Sequence, residues 1–352
     1  MSASPYFDAA ERVVRELFDR ETVRRGSSGE WLAESWQAID ALGLTQALVK
    51  EADGGPGIDP ADAADMLRLV GYWAVPLPLA EAMLGAGLLA QSGMAVAGGP
   101  MTLAPPHRTT VALEHRGDGW FADGHAARVP WGRCAATLLL IAAAADGPCL
   151  VALPAGLFTV KEGANLAGEP RDDVRFNTSL PATAVQPIGM TADDVHAAGA
   201  ALRTVMTAGG VQRLLDLTLG FAAEHRQFGR PIAKFQAVQQ NLAMLAGQAA
   251  LCRAASDMAA QALFARDGRV AIAMAKARAG EAAALAAHLA HQVHGAIGFT
   301  EEYDLHLYSR RLLAWREEYG NEAEWNAIVG QACLDSADGA WALITRHGGF
   351  AR

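Results

Sequence analysis

Two stretches in the second half of the chain leave little choice of fold. Leu242, Leu245, Ala249, Cys252, Ala259 and Leu263 follow three-four spacing, the period of a helix face packed on other helices. Ala271 to His291 is long and rich in alanine, which suits a helix lying close against its neighbours. From about Thr191 onward the chain therefore reads as a helical bundle. One place interrupts it, within Phe221-Ala-Ala-Glu-His-Arg-Gln-Phe-Gly-Arg-Pro-Ile-Ala-Lys-Phe-Gln-Ala-Val-Gln-Gln240. A helix carrying Leu214, Leu217 and Phe221 on one face runs into Gly229, which can take a positive φ, and Pro231, which lacks an N–H. The next helix restarts at about Phe235. Arg226, Gln227 and Phe228 are thus displayed at a break, and a site for a phosphorylated aromatic ligand can be built from such groups. A plain helical corner with a solvated arginine uses the same letters.

Ahead of the bundle the patterning changes twice. Residues 1–105 read as helices, with Phe7, Ala10, Val14 and Leu17 on one face and Leu32, Trp36, Ile39 and Leu42 on another, stopped at Gly43. Asp53-Gly-Gly-Pro-Gly57 is a loop, Asp59-Pro60 opens a further helix, and Pro76 and Pro78 precede a helix over about Leu79 to Ala90. Residues 106–190 read as a small β domain. Thr109 to Glu114 and Trp120-Phe121-Ala122 flank a hairpin turn at Gly117-Asp-Gly119, and Thr137 to Ile141 and Cys149 to Leu153 flank Asp146-Gly147. The expected fold is mainly α with a small β domain: helices over 1–105, strands over 106–190, helical bundle over 191–352.

The 352 residues carry a net charge of −9, which argues against nucleic acid or an anionic membrane as the main partner. Cys134, Cys149, Cys252 and Cys333 are scattered without metal or disulfide spacing, the N-terminus is charged, and no apolar run is long enough to span a bilayer. A cytoplasmic protein is expected. Gly85-Ala-Gly87-Leu-Leu-Ala90 has the letters of a dinucleotide fingerprint but follows a helix, where that motif needs a strand. His288, His291 and His294 lack a carboxylate or thiolate to complete a metal set, so no metal is expected.

Arg226-Gln-Phe-Gly-x-Pro-Ile-x-x-Phe-Gln-x-x-Gln239 resembles the signature of the acyl-CoA dehydrogenase family in its C-terminal helical domain. Gln292-Val-His-Gly295-Ala-Ile-Gly298-Phe-Thr-Glu-Glu-Tyr303, followed by Arg310-Arg311, is similar to the family's second signature, at matching spacing. The resemblance implies an N-terminal helical domain, a middle β domain and a C-terminal four-helix bundle. It also implies FAD as cofactor, α,β-desaturation of an acyl-CoA thioester, and an electron-transfer flavoprotein or similar acceptor. In such a protein Arg226 and Gln227 meet the pyrophosphate of a neighbouring subunit's FAD, with His225 where an Arg is usual. Phe228, Ile232, Phe235 and Gln236 meet the dimethylbenzene side, and Gln292 and Gly295 the adenosine end, with Ala296 in place of a usual glycine.

Elsewhere the chain departs from the family. Leu103-Ala-Pro-Pro-His-Arg-Thr109 replaces a Thr-Glu-Pro then Gly-Ser segment that meets flavin and substrate. After Asp123-Gly124, Arg128-Val-Pro130 replaces the Trp-Ile-Ser/Thr triplet that packs on the flavin; Trp131 is nearby, but a shift of three along a strand reverses its face. The family's base is a Glu before a Gly, in an apolar pocket that raises its pKa. Here that residue is Tyr319, a phenol of ordinary pKa about 10 and a poor base. The alternative base position is Gly199. Glu318, one residue off, could serve if the loop is rearranged, with Glu317 a weaker choice; two solvated surface acids is the plain alternative. Two readings follow. One is a non-catalytic partner that completes the FAD site of a homologous catalytic subunit in a heterotetramer, as the family has in bacterial steroid side-chain degradation. The other is a self-sufficient homo-oligomeric dehydrogenase using Glu318.

Overall fold

The computed structural model describes residues 5–347, apart from 97, 264 and 266. Its contacts group into two compact units, Met1–Ala63 with Pro76–Gly199, and Ala64–Val75 with Ala200–Arg352.

In the first unit, α1 (Pro5–Leu17), α2 (Arg20–Ser27), α3 (Ala33–Ala41), the start of α4 (Pro60–Tyr72) and α5 (Leu79–Gln91) precede the strands. Helix α2 is an addition to the expected set. Val23 and Gly26 are its buried residues, so its charged sequence shows no apolar period. Helix α5 is buried all round from Leu79 to Leu89, as a sequence of apolar and small residues broken only by Glu81 allows. The Gly85-x-Gly87 letters serve packing there: a Cβ on Gly85 would lie 2.8 Å from a Leu139 methyl.

The strands form two four-stranded sheets. One has the order β1 (Met101–Leu103), β4 (Thr137–Ala144), β5 (Gly147–Pro154), β8 (Val185–Pro187). The other has β2 (Thr109–Arg116), β3 (Gly119–Pro130), β7 (Arg171–Pro181), β6 (Thr159–Lys161). Met101–Leu103 was expected within the helical segment; it pairs parallel with β4, and three residues are too few to show a strand period. Alternate residues of the sheets, among them Ala122, Leu138, Leu140, Val151, Val174 and Phe176, make the core of this region.

The second unit is helical. It holds the end of α4, most of α6 (Ala192–Glu224), and α7 (Gln236–Ala262), α8 (Arg269–His294), α9 (Leu305–Glu317), α10 (Glu322–Asp335) and α11 (Gly339–His347). The predicted seam is buried at Leu245, Ala249, Cys252 and Ala259, and α8, which packs against α7, buries Ala279, Ala282, Ala283, Ala286 and Ala290. Small residues let the backbones approach. A Cβ on Gly71 of α4 would lie 1.8 Å from the Met206 carbonyl of α6. The opposite face of α7 exposes Ala237, Gln240, Met244, Gly247, Leu251 and Ala254, and no charged residue occurs between Gln236 and Cys252. No helix among the described residues is long and apolar enough to cross a membrane.

Candidate functional site

The break expected between α6 and α7 is a hairpin. Helix α6 closes with the His225 N–H on the Phe221 carbonyl at 2.8 Å. Arg226–Gln227 then pairs antiparallel with Arg230–Pro231, and the Ile232 N–H bonds back to His225 O at 2.9 Å. The two turn residues, Phe228 and Gly229, both have positive φ, 51° and 79°, as a two-residue turn of type I′ requires. Gly229 meets that demand freely. Phe228 meets it at a cost of about 1–2 kcal/mol, and its ring is 93% exposed.

Arg226, Gln227 and Gln236 are exposed, as a group offered outward must be. Phe235 is half-buried with the Arg230 guanidinium over its ring at 4.3 Å, and Phe228 meets it edge-on at 6.1 Å. Ile232 differs from the expectation of a contact residue: it is buried and backs the turn from within.

The second segment lies at the end of α8. Gln292 is exposed, and Gly295 is exposed with φ 63° and ψ −142°, a conformation glycine adopts readily. Its Cβ would meet nothing within 4 Å, so the backbone is open to a ligand there. Phe299 and Ile297 stand outward beyond it. Two of the three helix histidines are engaged within the chain: His291 Nε2 is 2.8 Å from Ser309 Oγ, and His294 Nδ1 is 2.8 Å from Ala290 O. Rings join the two segments. His225 stacks on Phe221 at 4.8 Å, and Phe221 stacks on His294 at 4.4 Å.

The turn after α9 carries the expected base position. Tyr319 is buried with φ 54°, its carbonyl accepting from Trp325 Nε1 at 2.9 Å, and Gly320 follows with φ 87°. Glu318 accepts from Arg203 Nε at 2.7 Å, with side-chain exposures of 11% and 2%. The Arg203 guanidinium also lies 5.6 Å from the Tyr319 ring. Glu318 is thus seated as the counter-ion of a buried arginine, and neighbouring Glu317 is exposed, accepting from Asn321.

Lys276 of α8 fixes the same turn from below. Its Nζ donates to the carbonyls of Trp315, Arg316 and Gly320 at 3.3, 2.7 and 2.9 Å, and burial pushes its pKa down to about 8. Sequence reading did not single out Lys276 or Arg203. For Lys276 a signal existed: a lone cation inside the apolar Ala271–Ala277 run.

In the first unit, the stretch that departs from the family is closed by its own packing. A register shift between Ala126 and Val129 puts Arg128 at φ 59°, and Trp131 follows at φ 53°. Val129 is fully buried, and the Pro130 carbonyl accepts from Thr102 Oγ1. Trp131 is 2% exposed, edge-on to Trp31 at 5.9 Å, so it is a core residue and offers no ring to a ligand. In the 103–109 segment His107 stacks on His196 at 3.7 Å and bonds Asp193 at 2.9 Å.

Residues 197–333 match the family model described as acyl-CoA dehydrogenase, C-terminal domain. Acyl-CoA dehydrogenase IpdE2 of Mycolicibacterium smegmatis is 27% identical over 279 residues, 78% of this chain and 80% of the relative. Acyl-CoA dehydrogenase FadE34 of Mycobacterium tuberculosis is 29% identical over 313 residues, 83% of this chain and 42% of the relative. Among solved structures, a chain of the ChsE4-ChsE5 complex from Mycobacterium tuberculosis superposes with a TM-score of 0.84 at 22% identity, covering 95% of this chain and 97% of that one. A chain of the Tcur3481-Tcur3483 steroid ACAD G363A variant gives 0.82 at 22% identity, with 95% and 98% covered.

Proposed function

With residues 197–333 belonging to the acyl-CoA dehydrogenase family and the whole chain sharing its fold, we propose that this protein is a non-catalytic subunit of an FAD-dependent acyl-CoA dehydrogenase. It lends the 225–236 and 292–295 segments to a flavin seated on a homologous catalytic subunit. The overall reaction is α,β-desaturation of an acyl-CoA thioester, with electrons passed to an electron-transfer flavoprotein or a similar carrier.

The observation that carries this reading is an asymmetry of exposure. The lending groups Arg226, Gln227, Phe228, Gln236, Gln292 and Gly295 all face outward, and Phe228 does so on a backbone that costs the free chain stability. The groups that would receive a flavin and use it are packed inward or absent. Trp131 is core, Tyr319 is buried at the base position, and Glu318 is committed to Arg203.

FAD therefore fits one half of this chain and not the other. An outward cation and amide suit a diphosphate, and the open Gly295 backbone suits close approach of an adenosine. When bound, FAD supplies the acceptor for the hydride that leaves the acyl Cβ. What this chain's residues do is bind and orient; no proton moves through them. Two relatives by fold were solved as two-named assemblies, ChsE4-ChsE5 and Tcur3481-Tcur3483, which supports an assembly of unlike chains.

The test is the colour of the protein. Purified alone the chain is expected to be colourless; co-expressed with a catalytic homologue it is expected to co-purify as a yellow complex that bleaches anaerobically with an acyl-CoA. Flavin that bleaches in the lone chain would overturn the proposal.

A further inference from the structure

The hairpin and the end of α8 are held together by four aromatic rings in sequence. His225 lies on Phe221, one helical turn before it on α6, with 13° between the ring planes. Phe221 lies on His294, the last residue of α8, at 24°, and His294 leans on Tyr303 at 4.8 Å. His294 is 5% exposed. Its Nδ1 faces the Ala290 carbonyl, which only accepts, so Nδ1 carries the proton and Nε2 of the neutral ring is a lone pair. Nε2 is buried and has no hydrogen-bond partner among the described residues. A second proton would have to sit on that nitrogen, with nothing to receive its hydrogen bond.

We propose that His294 is a positioning residue: its neutral ring holds Phe221, and through it His225 and the 225–231 hairpin, in register with Gln292 and Gly295, and acid releases that hold. What the two segments are held ready for rests on the proposed lending of a flavin half-site. The hold itself rests on the stack.

The titratable groups around the ring all bear on this. His291 precedes it on α8 and, when charged, opposes a second cation. His225 sits beyond Phe221 on the α6 side. Tyr303 faces it from the segment after α8, its own pKa raised by burial first and then by Asp304 and Glu224, with Arg213 acting the other way, so Tyr303 stays neutral through the acid range. Burial pushes the His294 pKa down, with the Ala290 carbonyl pulling upward and His291 downward. Because the unstacked ring takes a proton more readily than the stacked one, stacking is complete above the ordinary imidazole range near pH 6.5. It is lost as pH falls through the lowered value.

Two measurements test this. In the lone chain at pH 7.5, trypsin cleavage after Arg226 is expected to quicken about fivefold or more in His294→Ala and to match wild type in His294→Phe, which keeps a ring without the nitrogen. In the assembled pair, FAD affinity is expected to fall about fivefold or more between pH 7.5 and 5 with the wild-type chain. It should hold with His294→Phe and be weak at both values with His294→Ala. Equal cleavage in His294→Ala and wild type overturns the proposal, as does an acid loss with His294→Phe equal to that of wild type. A pair that holds no flavin at pH 7.5 overturns the proposed function, while the cleavage rates still decide the stack.

Discussion

Lys276 gives a sharp test of how the turn at Tyr319 and Gly320 is held. Its ammonium is buried against three carbonyls, two of them at the open end of α9. Burial lowers its pKa from 10.5 to about 8, a drop worth about 3 kcal/mol at about 1.4 kcal/mol per unit. The sign follows from proton counting. Between pH 8 and 10.5 the unfolded chain holds a proton on this lysine that the folded chain has released, so stability from this group rises with pH across that window. Below pH 8 the full penalty of the buried charge is present.

Lys276→Met removes that titration and takes the lysine donor from the Arg316 and Gly320 carbonyls, a loss of about 1–3 kcal/mol for each buried group left unmade, while Trp315 O keeps the Glu318 N–H. The variant is therefore expected to be less stable at every pH, and the gap to wild type should widen by about 2 kcal/mol between pH 8 and 9.5. Urea midpoints of both proteins at pH 7.5, 8.5 and 9.5 check this, because tyrosines and cysteines that titrate nearby cancel in the difference. A gap that stays constant across those three pH values would refute a buried, depressed lysine.

Three further outcomes are expected. Arg203→Met should destabilise the chain by about 3–5 kcal/mol by taking the guanidinium from its buried pair with Glu318, and the double variant with Glu318→Gln should recover part of that loss in urea unfolding. Gly71→Ala should cost about 3 kcal/mol, read as a lowered melting temperature, since its methyl would meet the Met206 carbonyl. Phe228→Asn should stabilise the lone chain by about 1 kcal/mol by relieving the turn, yet weaken co-purification of flavin with a catalytic homologue.

Periodicity carried most of the helical architecture. The seam at Leu245, Ala249, Cys252 and Ala259 is buried as its spacing demands, and Gly43, after Leu42, has the positive φ that a helix stop by glycine uses. The break before Pro231 was legible, but its form was not. Gly229 announced one positive φ, whereas nothing in a phenylalanine announces the second, because local preference opposes it and the hairpin ladder imposes it.

Short elements escaped for a different reason: α2 and β1 bury too few residues to show a period. The ion pair of Glu318 with Arg203 and the ring contact of Phe221 with His294 join residues far apart in the chain, and spacing along one helix holds no record of what a second helix brings to it. The family signatures single out these segments of the chain. They could not say that Ile232 turns inward.

The outward face of α7 has a consequence for handling the molecule. Over Gln236–Cys252, about 25 Å of helix, it presents alanine, glycine, methionine, leucine and glutamine without a charge, and the charged residues of α7, Arg253 and Asp257, come only after it. A ledge of that length repels nothing of its own kind. Freshly made chains should find one another along it at high concentration, and colloidal behaviour, ahead of unfolding, will set how much of the isolated protein a buffer can hold.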